Sequence, residues 1–271
     1  MFAFDTLLHR LRHGCRTMSY PDGAPPALPE RHGGALRIDA ARCPAGCAAC
    51  APVCPTGAVV RPPRRPVALD LGNCLFCGAC VEACPAGAIV RTGDHRLAAR
   101  RRGDLVIGAP GAEEVRLAAA LDGRLLRLFG RSLRLRQVSA GGCAACEADT
   151  NVLGTIGWDL GRFGIQFVAS PRHADGLLVT GPVSDSMRLA LEKTYAAVPE
   201  PKLVIAVGAC AIAGGPFTGH ARVHNGAASV VPVDLFIPGC PPHPLTILDG
   251  LLRLLGRLED EGRAPVSSAR S

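Results

Sequence analysis

Cys74, Cys77, Cys80 and Cys84 form a Cys-x2-Cys-x2-Cys-x3-Cys run that Pro85 follows at once. Cys43, Cys47, Cys50, Cys54 and Pro55 repeat it about thirty residues earlier, with one extra residue between the first two cysteines. Thiolates are soft ligands. Three on one tight loop can aim their sulfurs at three irons of a cubane, while the proline turns the fourth toward a neighbouring cluster. Zinc sites space two Cys-x2-Cys pairs by a longer loop and do not need four cysteines so crowded. The chemistry that suits these residues is electron transfer through two four-iron clusters. One set is Cys43, Cys47, Cys50 and Cys84; the other is Cys74, Cys77, Cys80 and Cys54.

The two runs are halves of an internal repeat. Cys47, Cys50, Cys54, Pro55, Gly57, Ala58 and Val60 recur as Cys77, Cys80, Cys84, Pro85, Gly87, Ala88 and Val90. A duplicated half folded about a pseudo-twofold axis accounts for ligands that swap between halves. Such a unit needs about sixty residues, and the chain of 271 has room for a second domain of ordinary size. Met1 to Gly14 carries Asp5, His9, Arg10 and Arg12 and reads as no secretory signal, and no apolar run reaches the roughly 18 residues that cross a bilayer. A reducing cytoplasm is therefore expected, where thirteen cysteines serve metals rather than disulfides.

Charge is uneven. Residues 1–136 hold 20 Lys and Arg against 11 Asp and Glu, and residues 137–271 hold 10 against 12, which together give the net +7. Each oxidised four-iron cluster with its thiolates would add about −2. With aromatic residues at only 4%, stacking on bases is not supported, and no nucleic-acid partner is expected.

The elements that must position the remaining cysteines lie after Arg131. Leu133 to Val138, Ile165 to Ala169, Leu177 to Thr180, Leu203 to Val207 and Leu235 to Ile237 read as short buried strands. Between them Glu147 to Phe163, Asp185 to Val198 and Pro244 to Leu258 read as helices. This alternation predicts an open parallel sheet covered on both faces. Cys143 and Cys146 follow the first strand, Cys210 follows Val207-Gly208, and Cys240 follows Ile237-Pro238-Gly239. Strand carboxyl ends of such a sheet converge on one crevice, so these four cysteines are expected to hold a third four-iron cluster. A thioredoxin-like dithiol at Cys143 and Cys146 would leave Cys210 and Cys240 idle. Cys15 is left over as a free structural thiol.

The motifs carry a family resemblance. Gly142-Cys143-Ala-Ala-Cys146-Glu147, Val207-Gly-Ala-Cys210-Ala-Ile-Ala-Gly214-Gly215 and Ile237-Pro-Gly-Cys240-Pro-Pro resemble the small, proximal-cluster subunit of energy-converting NiFe hydrogenases, formate hydrogenlyase and respiratory complex I. Phe163 to Asp175, Leu178-Val-Thr-Gly-Pro182 and Ile247-Leu-Asp-Gly-Leu251 add to it. The part around Leu71-Gly-Asn-Cys74-Leu-Phe-Cys77-Gly resembles the two-cluster ferredoxin subunit of the same assemblies. Complex I subunits of this type carry adjacent cysteines at the first ligand position; the spacing Cys143-x2-Cys146 is that of the hydrogenase branch. That branch usually has an Asn-Gly or similar pair where Ala144-Ala145 stands, and a carboxylate at the place of Asp149.

The resemblance implies an α+β bacterial dicluster ferredoxin domain followed by an α/β open parallel-sheet, flavodoxin-like domain. The expected division is an N-terminal amphipathic arm (1–33), the ferredoxin domain (34–95), a solvated basic linker (96–131) with a helical pattern over Glu113 to Leu121, the proximal-cluster domain (132–260) and a flexible tail (261–271). It implies three four-iron clusters, a large NiFe-hydrogenase-like catalytic subunit as partner, integral membrane subunits, a soluble electron donor or acceptor, and peripheral membrane association through partners. The alternatives are a complex I-like, quinone-linked oxidoreductase and a structural adaptor with stabilising clusters. Near the third cluster, Glu147 and Asp149 are candidates for proton handling or helix capping. Arg172, His173 and Asp175 are expected on the crevice side, where cationic donors would raise the cluster's potential. Phe4, Leu7, Leu8 and Leu11 share one helical face, which suits docking on a membrane subunit or the bilayer.

Overall fold

In the computed structural model, residues 1, 30, 45, 61–66, 109–112 and 259–271 lie outside the described part; the expected tail falls there. Helix α1 spans Phe2–His13. The cysteine-rich repeat then builds two small antiparallel sheets, as its halves require. Strand β1 (Leu36–Ile38) ends the chain's approach; β2 (Val59–Val60) and β3 (Ala68–Asp70) flank the first run's exit. Helix α2 (Ala79–Glu82) and β4 (Ile89–Arg91) complete the second half. β1 pairs with β4, so the first and last strands of the repeat close on each other.

Residues 96–131, expected as a solvated linker, are instead built into both halves. Strand β5 (Val106–Ile107) pairs with β3 and completes a three-stranded sheet in the order β2-β3-β5. Two of its arginines have distant partners: Arg100 donates to the carbonyl of Asp234 (2.8 Å), and Arg102 pairs with Asp70. The helix expected over Glu113 to Leu121 is absent; that stretch is non-helical, with Ala118 N–H donating to Ala98 O and Leu121 N–H to Leu254 O. Val115, Ala118 and Leu121 are buried, so their i, i+3 spacing marks a buried side without marking a helix. Tertiary pairing overrides the local pattern. Helix α3 (Gly123–Phe129) begins only after Asp122, whose carboxylate accepts from Arg124 and Leu125 N–H as an N-cap.

The second half is a five-stranded parallel sheet. β6 (Leu133–Ser139), β7 (Ile165–Phe167), β8 (Gly176–Thr180), β9 (Leu203–Val207) and β10 (Leu235–Ile237) lie in the order β10-β9-β8-β6-β7. Counted from β6, that is the doubly wound order 2-1-3-4-5 of flavodoxin-like sheets, with the switch point between β6 and β8. β8, β9 and β10 are buried at every position, as strands covered on both faces must be.

Helices α4 (Ala145–Val152), α5 (Asp185–Ala197), α6 (Ala209–Ala213) and α7 (Pro244–Leu254) connect or close the sheet. α4 is far shorter than the expected Glu147 to Phe163. Past Leu153 the backbone turns back at Gly154 and Gly157, and Leu160 N–H donates to Leu153 O. α7 also ends before the expected Leu258. It is buried on every side; Pro244 opens it, and the His243 side chain caps it by accepting from Leu245 N–H.

Candidate metal centres

Each set of four cysteines is gathered by a different piece of this scaffold. In the first, Cys43, Cys47, Cys50 and Cys84 line one cavity with Pro44, Val67 and Ile89. The second, Cys54, Cys74, Cys77 and Cys80, lines another with Leu69 and Val59. The crossing follows from β1 pairing with β4: closing the repeat lays Cys84 beside the first loop and Cys54 beside the second. Gly46, directly before Cys47, adopts φ +87°, and Phe76 takes φ +55° at the matching place before Cys77. Both loops thus use one left-handed residue to turn the second sulfur inward.

Burial and mutual repulsion make Cys50, Cys74 and Cys80 hard to ionise on their own. Desolvation, joined by its neighbours' charge, pushes Cys74 up to about 12 and Cys80 up to about 11. Cys50 is raised by burial and then by Cys84, Cys43 and Cys47. The fourth cysteines behave differently. For Cys54 and Cys84 desolvation is the largest single influence and raises the pKa, but hydrogen bonds from the following loop outweigh it and the net direction is down. Ala88 N–H donates to Cys84 Sγ at 3.2 Å, as Phe76 N–H does to Cys74 Sγ.

The third set meets at the carboxyl edge of the parallel sheet. Cys143 and Cys146 follow β6, with Ala144 at φ +68° opening α4; Cys210 begins α6 after β9, and Cys240 follows β10. Desolvation raises Cys146 strongly, with the charges of Cys210, Glu147, Cys240 and Cys143 adding to it. Cys210 is pushed up to about 11 by burial, then by Cys240 and Cys143. Glycine is required here: a Cβ on Gly208, at φ +91°, would stand 2.5 Å from Cys146 Sγ. On Gly215 it would meet Cys210 Sγ at 3.0 Å. Among the described residues no group of three or more His, Cys, Asp or Glu side chains is arranged to hold a lone metal ion. Four mutually repelling thiols around one cradle instead fit a larger cationic iron–sulfur core, which deprotonates its cysteines on binding.

Glu147 is the one expected carboxylate that the structure ties into the third site. Its Oε1 accepts hydrogen bonds from Ser139 Oγ and Thr180 Oγ1, the last residues of β6 and β8. Desolvation alone would raise its pKa, but these two donors hold it below the usual carboxylate range. Its own backbone N–H, in the first turn of α4, adds a third donor to the carboxylate. Asp149 is half-buried and raised by desolvation. A fixed anion beside the cluster favours the oxidised, less negative state. For a cluster bound by the third set, Glu147→Gln should therefore raise the midpoint potential, on the order of tens of millivolts, without loss of iron. A redox titration followed by electron paramagnetic resonance that finds no shift would reduce Glu147 to a strut between β6 and β8.

Arg172, His173 and Asp175 are not at this site. Asp175 N–H donates to Arg134 O, and its Oδ2 accepts from Arg134 N–H at 2.7 Å. That places it at the amino edge of the sheet, five residues of β6 below Ser139, or roughly 17 Å along the strand. β7 is an edge strand of three residues that stops opposite Leu135, so the loop after it emerges low rather than at the crevice. Arg172 and His173 are exposed there. The predicted influence on the proximal cluster is withdrawn on this geometry.

Two contacts that sequence reading did not find join the second and third sets. Asn73, directly before Cys74 and buried, meets Thr218 Oγ1 through its Oδ1 at 3.1 Å, and Thr218 Oγ1 also bonds Gly215 and Ala213 in the α6 turn behind Cys210. Gly72 lies against Ile212, where a Cβ would come within 2.8 Å. Cys80 in turn feels Cys50 across the repeat. The first and second sets are thus linked through Cys50 and Cys80, and the second and third through Asn73 and Thr218.

The crossed sets can be separated by substitution. Cys84→Ser should disturb the cluster of the first loop and Cys54→Ser that of the second, because each side chain lines the other half's cavity. Spectra in which each replacement damages the cluster of its own run would contradict the crossing.

Comparison with known proteins agrees with this layout. Residues 42–89 match the 4Fe-4S dicluster domain, and residues 143–254 match the NADH ubiquinone oxidoreductase, 20 Kd subunit. The chain is 40% identical over 135 residues to the probable membrane-bound hydrogenase subunit mbhJ of Pyrococcus furiosus, covering 50% of this chain and 81% of that one. It is 41% identical over 143 residues to formate hydrogenlyase subunit 7 of Escherichia coli, 53% of this chain and 56% of that one. It is 39% identical over 123 residues to an NADH-quinone oxidoreductase subunit of Heliobacterium modesticaldum, 45% of this chain and 70% of that one. The chain thus belongs to the family of the 20 Kd NADH ubiquinone oxidoreductase subunit, an oxidoreductase-subunit family that includes hydrogenase members, and carries a 4Fe-4S dicluster domain ahead of it.

Proposed function

We propose that this chain is the electron-transfer subunit of a membrane-associated NiFe-hydrogenase-like complex, with three four-iron clusters on Cys43, Cys47, Cys50 and Cys84, on Cys54, Cys74, Cys77 and Cys80, and on Cys143, Cys146, Cys210 and Cys240. Such a cluster, when bound, accepts and releases one electron. The chain's own residues set the order of the sites, bury Cys50, Cys74 and Cys80, and present the third to a partner. The observation that carries this reading is the linkage of the sets, in which Asn73 and Thr218 join the second loop to the turn behind Cys210. Cys143 and Cys240 are exposed, so the third site opens outward, where a large catalytic subunit would receive or deliver electrons. Domain limits near 34–95 and 132–260 remain part of this proposal, as does association with integral membrane subunits and a soluble donor or acceptor. Among the described residues no helix is long and apolar enough to cross a membrane, which suits a peripheral position held by partners.

The two-residue gap between Cys143 and Cys146 favours the hydrogenase assignment over the complex I-like one. Anaerobic purification of the native complex decides between them. Stoichiometric nickel in a co-purifying large subunit, with hydrogen-dependent reduction of this chain, is the expected result. A nickel-free partner with quinone-linked activity would move the chain to the other branch.

A further inference from the structure

Helix α1 is mounted with its apolar stripe outward. Phe4, Leu7 and Leu11 are 66%, 56% and 71% exposed, although they share one face. The opposite face, with Asp5, Thr6, His9 and His13, looks onto a groove whose far wall includes Thr17 and Ile156. A short amphipathic helix near a protein surface normally buries its apolar side against the fold; here only Leu8 of that side is half-buried.

The orientation is fixed at its root. Gly14, at φ +60°, ends the helix by donating to Arg10 O. Thr17 Oγ1 then donates to Ile156 O (3.1 Å) and Met18 N–H to Gly157 O (3.0 Å). Arg162 donates to the carbonyls of Met18 and Tyr20, and buried Tyr20 bonds Asp249 of α7. The chain that follows the helix is therefore tied to the second half from Thr17 onward.

Charge identifies the occupant. At 100° per residue, Arg12 lies beside Leu8 on one flank of the stripe and Arg10 beyond Leu7 on the other, with Arg16 just past the helix end. Asp5 is the one acidic residue in the helix. Long arginine stems flanking an apolar stripe are the arrangement that sits in a headgroup layer, aliphatic part down and cation at the phosphates. A second copy is disfavoured, because face-to-face pairing would set the same arginines against each other.

We propose that α1 binds the surface of an anionic lipid bilayer directly, as an interfacial helix independent of any partner subunit. The test uses the full-length, cluster-loaded protein under anaerobic conditions, in flotation with phosphatidylglycerol/phosphatidylcholine vesicles and with pure phosphatidylcholine vesicles. The wild type should float with the anionic vesicles and bind the neutral ones several-fold less. Leu7→Glu with Leu11→Glu should lower the partition coefficient by about tenfold or more. Arg10→Gln with Arg12→Gln should lower it mainly on anionic vesicles and at low salt. All four positions are solvent-facing, so iron content and melting temperature serve as controls and should not move.

Absence of wild-type binding to anionic vesicles overturns the proposal, as does equal binding by the leucine variant. A concentration-dependent dimer that Leu7→Glu abolishes would assign the face to a second copy. Vesicle binding absent from the isolated chain, with membrane retention of the whole complex lost in the same variant, would assign it to an integral protein partner. Neither outcome bears on the redox reading of the cysteines.

Discussion

Cys146→Ala should lower the iron content from about twelve to about eight atoms per chain, with acid-labile sulfide falling in step. Cys146 is the most strongly shifted of the third set; it stands in the first turn of α4 with its Sγ so close to Gly208 that a Cβ there would not fit. Alanine removes one of four ligands from a cradle in which no other cysteine is near enough in sequence to substitute. The two ferredoxin-type sites should keep their iron, because their ligands and cavities are shared only with each other. Hydrogen-linked reduction through the complex should stop while the first two clusters still accept electrons from an artificial donor. Cys15→Ala is the control; it is exposed, bonds only Thr17 O within its own turn, and should leave the iron unchanged. Iron near twelve in Cys146→Ala, or near eight in the wild type, would remove the third cluster from the proposal. Stoichiometric zinc would remove all three.

The largest stability effect is expected at Asp249→Ala. Asp249 is fully buried in α7, where its carboxylate accepts from Arg253 Nε at 2.9 Å and from Tyr20 OH at 3.0 Å. Arg253 is 4% exposed, so removing the carboxylate takes an ion-pair partner from a buried cation and the acceptor from a buried hydroxyl. Breaking one side of such a pair costs about 3–5 kcal/mol, and in a chain of this size about 10 °C or so of melting temperature. Replacing both Asp249 and Arg253 by Leu should recover a substantial part, because no unpaired charge is then left. The loss should appear in near-ultraviolet circular dichroism of the cluster-loaded protein. It should loosen the segment around Tyr20 first, because Asp249 holds that segment to α7. A melting temperature within about 2 °C of the wild type, the scale of an exposed pair in a chain this size, would show the network to be of surface strength.

What the chain determines locally was legible in its residues. The two cysteine runs, their prolines and the repeat specify iron–sulfur loops because ligand geometry is set within about a dozen residues of each run. The five strands of the second half were legible because buried parallel strands are short continuous apolar runs, and the cysteines stand just beyond three of them. The rule that carboxyl ends of such strands converge then brought Cys143, Cys146, Cys210 and Cys240 together without any distance being known.

Other features were decided only by tertiary structure. Ser139 and Thr180 could not be assigned to Glu147 until β6 and β8 were placed in register, which sets their two hydroxyls side by side. Asn73 and Thr218 are 145 positions apart, and nothing in either segment names the other. Arg172 to Asp175 pointed to the wrong edge of the sheet because the height at which a loop emerges depends on how far its strand climbs, and β7 stops halfway. Val115, Ala118 and Leu121 carried helical spacing, yet the free energy of pairing with Ala98 and Leu254 across the fold exceeded their weak local preference. The arginines of residues 96–131 look like a solvated run until carbonyls and carboxylates from distant segments are laid against them. Ligand spacing is written into short stretches of chain, whereas the partner of a buried polar group is settled by which strands lie adjacent.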